Sequence, residues 1–211
     1  MKVVAFNGSA RKDGNTAVLV RYVFEELEKE GIATELVQLA GEKIHGCRAC
    51  FACFTHKNHT CVFDDDIVNT CIQKMLDADA IILASPVYFA NVSSEMKALI
   101  DRIGLVQRAN GNMFKRKVGA PVVAVRRAGA VFTHDAINHF FLISEMIVPG
   151  SSYWNMGFGL NKEDVRNDKE GETTMRDLGK NMAWLLKCIE AGKKQNPAKT
   201  ETFTPAYNPE A

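Results

Sequence analysis

Two hydrophobic patterns alternate along this chain. Short, continuously apolar runs predict five β-strands, at residues 2–6, 34–39, 80–85, 118–125 and 147–154. Between them, apolar residues recur every three or four positions, which predicts α-helices. The predicted helices cover residues 16–30, the stretch that follows the acidic residues 64–66, and residues 94–103, 134–146 and 173–189. Gly31 is the expected C-terminal cap of the first helix.

Strands that are apolar throughout are covered on both faces, and strict alternation with helices implies parallel pairing. The sequence therefore predicts an α/β protein with a doubly wound, five-stranded parallel sheet and helices on both faces of the sheet. Ligands bind such a sheet at the carboxyl ends of its strands, where the strand order reverses. The loops after the first four strands are therefore the candidate binding loops.

The predicted domain covers residues 1–191 and includes a cysteine-rich insertion at about 45–63. Residues 192–211 contain three of the six prolines, which exclude a helix or a central strand there. Phe203 and Tyr207 could anchor this segment. A plain tail and an arm that packs on its own or a neighbouring subunit are both open.

Charge and hydropathy narrow the classes of function. The 26 Lys and Arg residues nearly balance the 25 Asp and Glu residues, so no bulk field attracts nucleic acid or anionic lipid. No apolar stretch approaches the ~18 residues of a membrane span, and residues 1–6 are too short an apolar run for a signal peptide. We expect a cytoplasmic protein whose cysteines stay reduced and serve metal or redox chemistry.

The loop after the first strand, residues 8–16, is rich in hydrogen-bond donors and leads directly into the first helix. Glycines permit sharp turns, and a helix start offers free backbone N–H groups at its positive end. The loop has no Walker lysine before Thr16 and no G-x-G-x-x-G pattern, which disfavours a triphosphate and the usual dinucleotide. A terminal monophosphate remains, with FMN as the leading ligand. An ordinary strand-to-helix turn is the alternative.

Two motifs resemble the NADPH-dependent FMN reductase group of flavodoxin-like proteins. Residues 8–16 match the group's G-S-x-R-x-x-G-N-T loop, and residues 85–102 resemble its S-P-[VI]-Y segment and the L-K-x-x-[IL]-D-R helix that follows. The resemblance covers about residues 1–150. It implies FMN-binding residues in both motifs: Ser9, Arg11, Asn15 and Thr16 at the phosphate, and Pro86, Val87, Tyr88, Phe89 and Asn91 along the ring.

The loop after the fourth predicted strand departs from this family. The equivalent loop in relatives is glycine-rich and approaches the pyrimidine edge of the flavin, whereas here residues 126–129 contain Gly129 as their one glycine. Arg127 and Gly129 are the candidate contacts in this loop. Arg127 would meet the flavin carbonyl or the phosphate of a nicotinamide nucleotide, and an exposed structural arginine is an equal alternative.

Four of the six cysteines form one compact C-x2-C-x2-C-x7-C run, which consists of Cys47, Cys50, Cys53 and Cys61. The run resembles the signature of the iron-sulfur flavoprotein branch, which implies a 4Fe-4S cluster. Cysteines three residues apart on a tight loop direct their sulfurs at successive corners of one cube. Zinc held by four cysteines, or by three with His56 or His59, is an alternative, and so is a run without metal.

The remaining candidate side chains show no comparable pattern. Cys71 and Cys188 stand alone in predicted helices and are expected to be small core residues. His134 and His139 are five positions apart, which does not place them on one helix face. The sequence contains no Ser-His-Asp elbow and no carboxylate pair at hydrolytic geometry, so no catalytic side chain is predicted.

The resemblance implies a flavin-dependent oxidoreductase in which FMN takes a hydride from NADH or NADPH. With a cluster present, the flavin would exchange single electrons with it and relay them to or from a ferredoxin-like protein or a small acceptor. Because a flavin carries the hydride chemistry itself, the protein supplies placement and electronic tuning. A non-catalytic, flavodoxin-like electron-transfer protein and a cluster-free quinone or azo-dye reductase are the alternatives. Relatives form homodimers and homotetramers in which a neighbour covers the flavin.

Overall fold

The structure, a computed structural model, describes residues 1–195. Strands and helices alternate along them in this order: β1 (Lys2–Asn7), α1 (Asn15–Lys29), β2 (Ala33–Gln38), α2 (Ala52–His56), α3 (Val68–Asp77), β3 (Ala80–Pro86), α4 (Ser94–Ala109), β4 (Val118–Val125), α5 (Ala130–Ile143), β5 (Met156–Phe158) and α6 (Lys169–Gln195). A turn of 3-10 helix, Asp164–Asn167, precedes α6. None of these helices combines the length and the apolar composition that crossing a bilayer requires.

The strands form one five-stranded sheet in the order β2-β1-β3-β4-β5, and every pair is parallel. This confirms the predicted α/β fold class. The chain proceeds outward from β1 to β2 on one side and from β3 to β5 on the other. The order therefore reverses between β1 and β3, which brings the loops that follow these two strands together at one edge of the sheet.

Successive residues of the central strands face opposite sides of the sheet, which explains their continuously apolar sequence. In β1, Val4 and Phe6 pack in the core that α3, α4 and α5 cover, whereas Val3 and Ala5 pack in the core that α1 and α6 cover. Both cores are closed, because β1, β3 and β4 are almost wholly buried.

The helix ends follow local chemistry. After α1, Gly31 adopts a φ of +73° and donates its N–H to the carbonyl of Glu28, which confirms the predicted cap. Ser93 precedes α4, and its hydroxyl accepts a hydrogen bond from the N–H of Met96 at 3.3 Å. This cap fixes the start of α4 close to the end of β3, because Ser85 in β3 accepts the N–H of Ser93.

The prediction of a fifth strand at residues 147–154 was wrong. Only Ile147 forms a bridge there, with Val118, and the strand itself is Met156–Phe158, paired with Val123–Val125. Pro149 and Gly150 interrupt the apolar run, and the Tyr153 and Trp154 side chains are exposed, so this stretch runs along the sheet edge as a loop.

The expectation of no helix beyond residue 191 was wrong for residues 192–195, which continue α6. These residues precede the prolines that motivated the expectation, so nothing in their side chains stops the helix. Residues 196–211, which include Phe203 and Tyr207, lie outside the described residues.

Candidate functional site

A cleft of about 210 Å³ lies where the strand order reverses. Seven of the eleven residues predicted to hold a flavin line it, together with four residues that were not predicted. The lining consists of Ser9, Arg11, Asn15, Thr16, Pro86, Val87, Tyr88, Ala124, Arg126, Gly159 and Leu160. Among the other predicted residues, Phe89, Asn91, Arg127 and Gly129 do not line it.

The start of α1 forms one end of the cleft. Its N-cap is Gly14, which supplies no side-chain hydrogen bond, and the first intrahelical bond joins the N–H of Val18 to the carbonyl of Gly14. The N–H groups of the three residues between them are therefore free of helical partners. With the positive end of the helix dipole and the Arg11 guanidinium beside them, they form an anion-binding end.

The amide of Asn15 is engaged in joining two loops. Its Nδ2 donates to the carbonyl of Asn161 at 2.9 Å, and its Oδ1 accepts the N–H of Val165 at 3.3 Å. A Cβ on Gly159 would lie 2.6 Å from that Nδ2 and 2.7 Å from the N of Val165, so only glycine fits there. Asn15 thus contributes its backbone N–H to the anion-binding end, while its side chain holds the adjoining loop after β5 in place.

This adjoining loop, the loop after β5, was not predicted to line the cleft. Gly159 and Leu160 line the cleft, and the Leu160 carbonyl accepts a hydrogen bond from Arg11 Nη1 at 3.3 Å. The signal was present, because a loop that follows a parallel strand belongs to the ligand-binding edge of the sheet. The predicted strand at residues 147–154 hides this signal, because the strand that precedes the loop is Met156–Phe158.

A tight turn after β3 forms the apolar wall. Tyr88 and Asn91 exchange backbone hydrogen bonds at 2.9 and 3.0 Å, and the two residues between them, Phe89 and Ala90, both have positive φ. Left-handed backbone in non-glycine residues is costly and tends to persist at functional sites. The turn directs Phe89 fully into solvent beside the cleft, while Val87, whose N–H bonds to the Ala124 carbonyl, remains on the wall.

The loop after β4 packs against this turn. Gly129 has a φ of +89°, and a Cβ there would lie 2.8 Å from Cα of Ala90 and 3.0 Å from Cγ1 of Val87. The glycine therefore supports the wall from behind. In the same loop it is Arg126 that lines the cleft, whereas Arg127 is exposed outside it.

A second pocket brings the four clustered cysteines together. Cys53 and Cys61 are half-buried in it, and Cys47 and Cys50 are exposed. Desolvation raises the pKa of the Cys53 thiol, and the other three cysteines, which line the same pocket, raise it further. His56 and His59 are absent from the described residues that line this pocket. We call it the cysteine pocket, and residues 45–63 the cysteine segment.

The backbone of the cysteine segment is unusually contorted. Four of the ten described non-glycine residues with positive φ fall within it, namely Ala49, Phe51, Lys57 and His59. Its regular structure is the single short helix α2. The Ala49 N–H points at Cys47 Sγ, with a donor–acceptor distance of 3.4 Å. One backbone donor of the segment thus already faces a cysteine sulfur.

Side chains from the main domain fasten this segment. The buried carboxylate of Asp66 accepts the N–H of His45, and it pairs with the guanidinium of Arg102, which also donates to the carbonyl of Phe63 at 2.8 Å. Asn69 brackets the fourth cysteine, because it accepts the Cys61 N–H at 2.8 Å and donates to the Cys61 carbonyl at 3.0 Å. Both ends of the segment are therefore held in place.

The two remaining cysteines differ from each other. Cys71 is fully buried in the core, as predicted, and burial raises the pKa of its thiol to about 12. The prediction that Cys188 is a core residue was wrong, because its side chain is exposed. The face that α6 buries carries Leu178, Met182 and Leu186, and Cys188 falls outside that stripe.

Known proteins resemble this chain in sequence as well as in fold. Residues 1–161 match the family model of NADPH-dependent FMN reductase. The chain belongs to that family. An iron-sulfur flavoprotein of Methanocaldococcus jannaschii is 39% identical over 197 residues, which cover 90% of this chain and the whole of that protein. This likeness places the chain in the iron-sulfur flavoprotein branch of the FMN reductase family.

Solved structures share the flavodoxin-like fold at low identity. RosB, solved with the bound intermediate 8-demethyl-8-formylriboflavin-5'-phosphate, is 16% identical with a TM-score of 0.68, over 99% of this chain and 93% of that one. An archaeal flavodoxin is 14% identical with a TM-score of 0.56, over 89% of this chain and 99% of that one.

The donor sets of the two sites suit the groups that this family membership implies. The cleft of this FMN reductase family member offers uncapped helix N–H groups at one end and an apolar wall opposite, which matches a phosphate and a flat ring. The cysteine pocket offers four free thiols. In the described residues, no three His, Cys, Asp or Glu side chains form a group arranged to hold a single metal ion. A four-iron cube takes one thiolate at each of four corners and so separates its ligands more widely than one ion does.

Proposed function

We propose that this protein is an FMN-dependent NAD(P)H oxidoreductase. The cleft at the strand-order reversal carries the proposal, because it opposes an anion-binding helix start and an apolar wall across one space of about 210 Å³. The flavin phosphate would lie on residues 9–16, and the isoalloxazine ring would lie against residues 86–88. Family membership supports a flavin as the cofactor, and bound FMN would supply the hydride chemistry.

Each part of the cleft has a proposed task. Ser9, Arg11 and Thr16 would bind the phosphate with the backbone N–H groups at the start of α1. Pro86, Val87 and Tyr88 would orient the ring, and Gly129 and Asn91 would hold that wall in shape. Arg126, which lines the cleft, is better placed than Arg127 to meet a negatively charged edge of the flavin or of a nicotinamide nucleotide.

The cysteine pocket is proposed to hold a 4Fe-4S cluster on Cys47, Cys50, Cys53 and Cys61. The four thiols share one pocket, and the name of the 39% identical relative states an iron-sulfur content for that protein. A cluster there would supply one-electron chemistry, so that the chain could relay electrons between the flavin and a ferredoxin-like protein or a small acceptor. An empty pocket would leave a quinone-type or azo-type reductase.

We further propose a cytoplasmic homo-oligomer, either a homodimer or a homotetramer. Phe89 at the tip of its turn beside the cleft and Leu160 on the cleft wall expose apolar side chains, as does Phe132 near the start of α5. Apolar groups grouped around a binding site suit a neighbouring copy that covers it.

Steady-state oxidation of NADH and NADPH tests the enzyme directly. The FMN-loaded protein, assayed without oxygen and with a quinone or free flavin as acceptor, should turn over with at least one nucleotide. Arg11→Ala should weaken FMN binding by about tenfold or more, because it removes a charge-assisted hydrogen bond to the phosphate. Arg166→Ala, which removes an exposed arginine of the 3-10 turn, is the matched control and should leave FMN affinity unchanged.

Two results distinguish the candidate functions, namely the absence of turnover and the iron and sulfide content. Absence of turnover with either nucleotide, in protein that binds FMN stoichiometrically, would contradict the reductase and favour a non-catalytic electron carrier. Iron and acid-labile sulfide are measured on protein purified without oxygen. Roughly four of each per chain support the cluster, and absence of both eliminates it.

A further inference from the structure

A buried arginine lies directly behind the cysteine pocket. The Arg102 side chain is only 1% exposed, yet it lines the pocket together with the four cysteines. Its two terminal nitrogens are occupied. Nη1 meets the Asp66 carboxylate and, at 3.5 Å, the His45 carbonyl, while Nη2 donates to the Phe63 carbonyl.

The third guanidinium nitrogen has no such partner. Arg102 Nε is buried and finds no hydrogen-bond acceptor among residues 1–195. A buried donor left unpaired costs about 1–3 kcal/mol, and native proteins rarely retain one without a reason. The other side chains that line this pocket are the four cysteines, the exposed Arg48 and apolar residues, so the cysteine sulfurs are the acceptors that the pocket offers.

We propose that Arg102 is a positioning residue whose Nε–H donates a hydrogen bond to a sulfur of the cluster held by Cys47, Cys50, Cys53 and Cys61. The inference rests on the proposed cluster and deepens it. The same donor raises the reduction potential of the cluster. One-electron reduction, with the electron supplied by the flavin or by dithionite, adds one negative charge to the sulfurs, and a fixed N–H dipole stabilises that more negative form.

The effect of Arg102 on the cluster potential is assigned to its Nε–H hydrogen bond and not to its positive charge. Asp66, whose side chain is fully buried, offsets the charge of Arg102, so the pair presents little net charge to the pocket. Arg48 provides the contrasting case. It also lines the pocket, where it stacks over the Phe63 ring at 4.6 Å, but its side chain is exposed and its charge is screened by solvent.

The experiment is a mediated redox titration of the anaerobically purified holoprotein, followed by the EPR signal of the reduced cluster. Arg102→Lys keeps the charge beside Asp66 and removes the Nε–H. We expect the cluster potential to fall by the equivalent of about a tenfold change in the reduction equilibrium, which is about 59 mV for one electron. Arg48→Gln removes an exposed charge and should shift the equilibrium less than about threefold. An unchanged potential in Arg102→Lys, or equal shifts in both variants, overturns the proposal.

A measurement on protein with native Arg102 keeps the proposal testable if Arg102→Lys does not fold. With 15N-labelled arginine and an Arg48→Lys background, pulsed EPR of the reduced cluster should detect a weakly coupled 15N nucleus. Absence of that coupling, which is expected if a water molecule intervenes, overturns the hydrogen bond. Absence of iron and sulfide from anaerobic protein contradicts the cluster itself. A cluster that is present but indifferent to Arg102 contradicts only this inference.

Discussion

The cleft and the cysteine pocket are built in different ways by one chain. The cleft is made of secondary structure, because its donors are the first N–H groups of α1 and its wall is the end of β3. The cysteine pocket lies outside the sheet, in a segment with four left-handed residues and one short helix. Its geometry depends on a few side chains that reach it from the main domain. A site built from sheet and helix ends inherits the stability of the fold, whereas a site on a fastened segment depends on its fasteners.

The largest expected effect comes from breaking the chief fastener. Asp66→Ala leaves the Arg102 charge buried without its partner and should lower the free energy of unfolding of the apoprotein by about 3–5 kcal/mol. Urea denaturation measures it. Asp101→Ala breaks an exposed ion pair with Lys97 on the same helix and should cost less than about 1 kcal/mol. Similar losses in both variants would show that the segment does not depend on the buried pair.

The core cysteine gives a second contrast, through alkaline pH. Burial, and to a smaller extent Asp66, raises the pKa of Cys71 from 9.0 to about 12. Between these values the folded protein keeps a proton that the unfolded chain has lost, so stability falls as pH rises, by up to ~1.4 kcal/mol per pH unit. Below pH 9 the group has no effect.

Comparing the free energy of unfolding of wild type and Cys71→Val from pH 8 to 12, under reducing conditions, isolates this contribution. The wild type should lose more stability than the variant over that range. Cys50→Val, at an exposed cysteine of the segment, is the matched control and should keep the full wild-type slope. Parallel curves for wild type and Cys71→Val would contradict the prediction.

The smallest effect concerns the cleft alone. Gly159→Ala places a Cβ 2.6 Å from Asn15 Nδ2 and 2.7 Å from the Val165 backbone, so the loop after β5 must move away from α1. FMN affinity, measured by fluorescence quenching, should fall about tenfold, equivalent to ~1.4 kcal/mol. Thiol titration of the four clustered cysteines should be unchanged.

The control for this variant is Gly104→Ala in α4, where open space surrounds the new Cβ. It should leave FMN affinity unchanged and stabilise the protein by up to about 1 kcal/mol, as alanine does in a helix interior. An equal loss of FMN affinity in both variants would contradict the role assigned to Gly159.

The sequence predicted the sheet and the anion-binding loop because both depend on local patterns. Strands β1, β3 and β4 are buried on both faces, so their side chains are apolar at every position. Strand β5 has only three residues and pairs on one side, and a longer apolar loop, residues 147–154, resembles a strand more than β5 does. Burial of the central strands is thus readable from composition, whereas the position of the edge strand depends on its pairing with β4.

The contacts of polar side chains with residues distant in the sequence could not be predicted. Asn15 was predicted at the flavin phosphate, and its side chain bonds to residues about 150 positions away. Arg102 was recognised as the end of a family motif, yet its position behind the cysteine pocket results from the packing of α4 against a distant segment. Cys188 was expected in the core because it lies in a helix with an apolar face. The sequence alone does not show which face of that helix the rest of the protein covers.

Helix α4 joins the two sites and imposes a rotational constraint on them. Its cap, Ser93, is fixed to the end of β3 near the apolar wall, and Arg102 reaches the cysteine pocket from farther along the same helix. Inserting one residue between them would lengthen the helix by only ~1.5 Å but turn Arg102 by roughly 100°. Insertions between Ser93 and Arg102 are therefore tolerated only when they add whole helical turns. The direction in which Arg102 leaves the helix axis, more than the length of α4, decides whether it reaches the cysteine pocket.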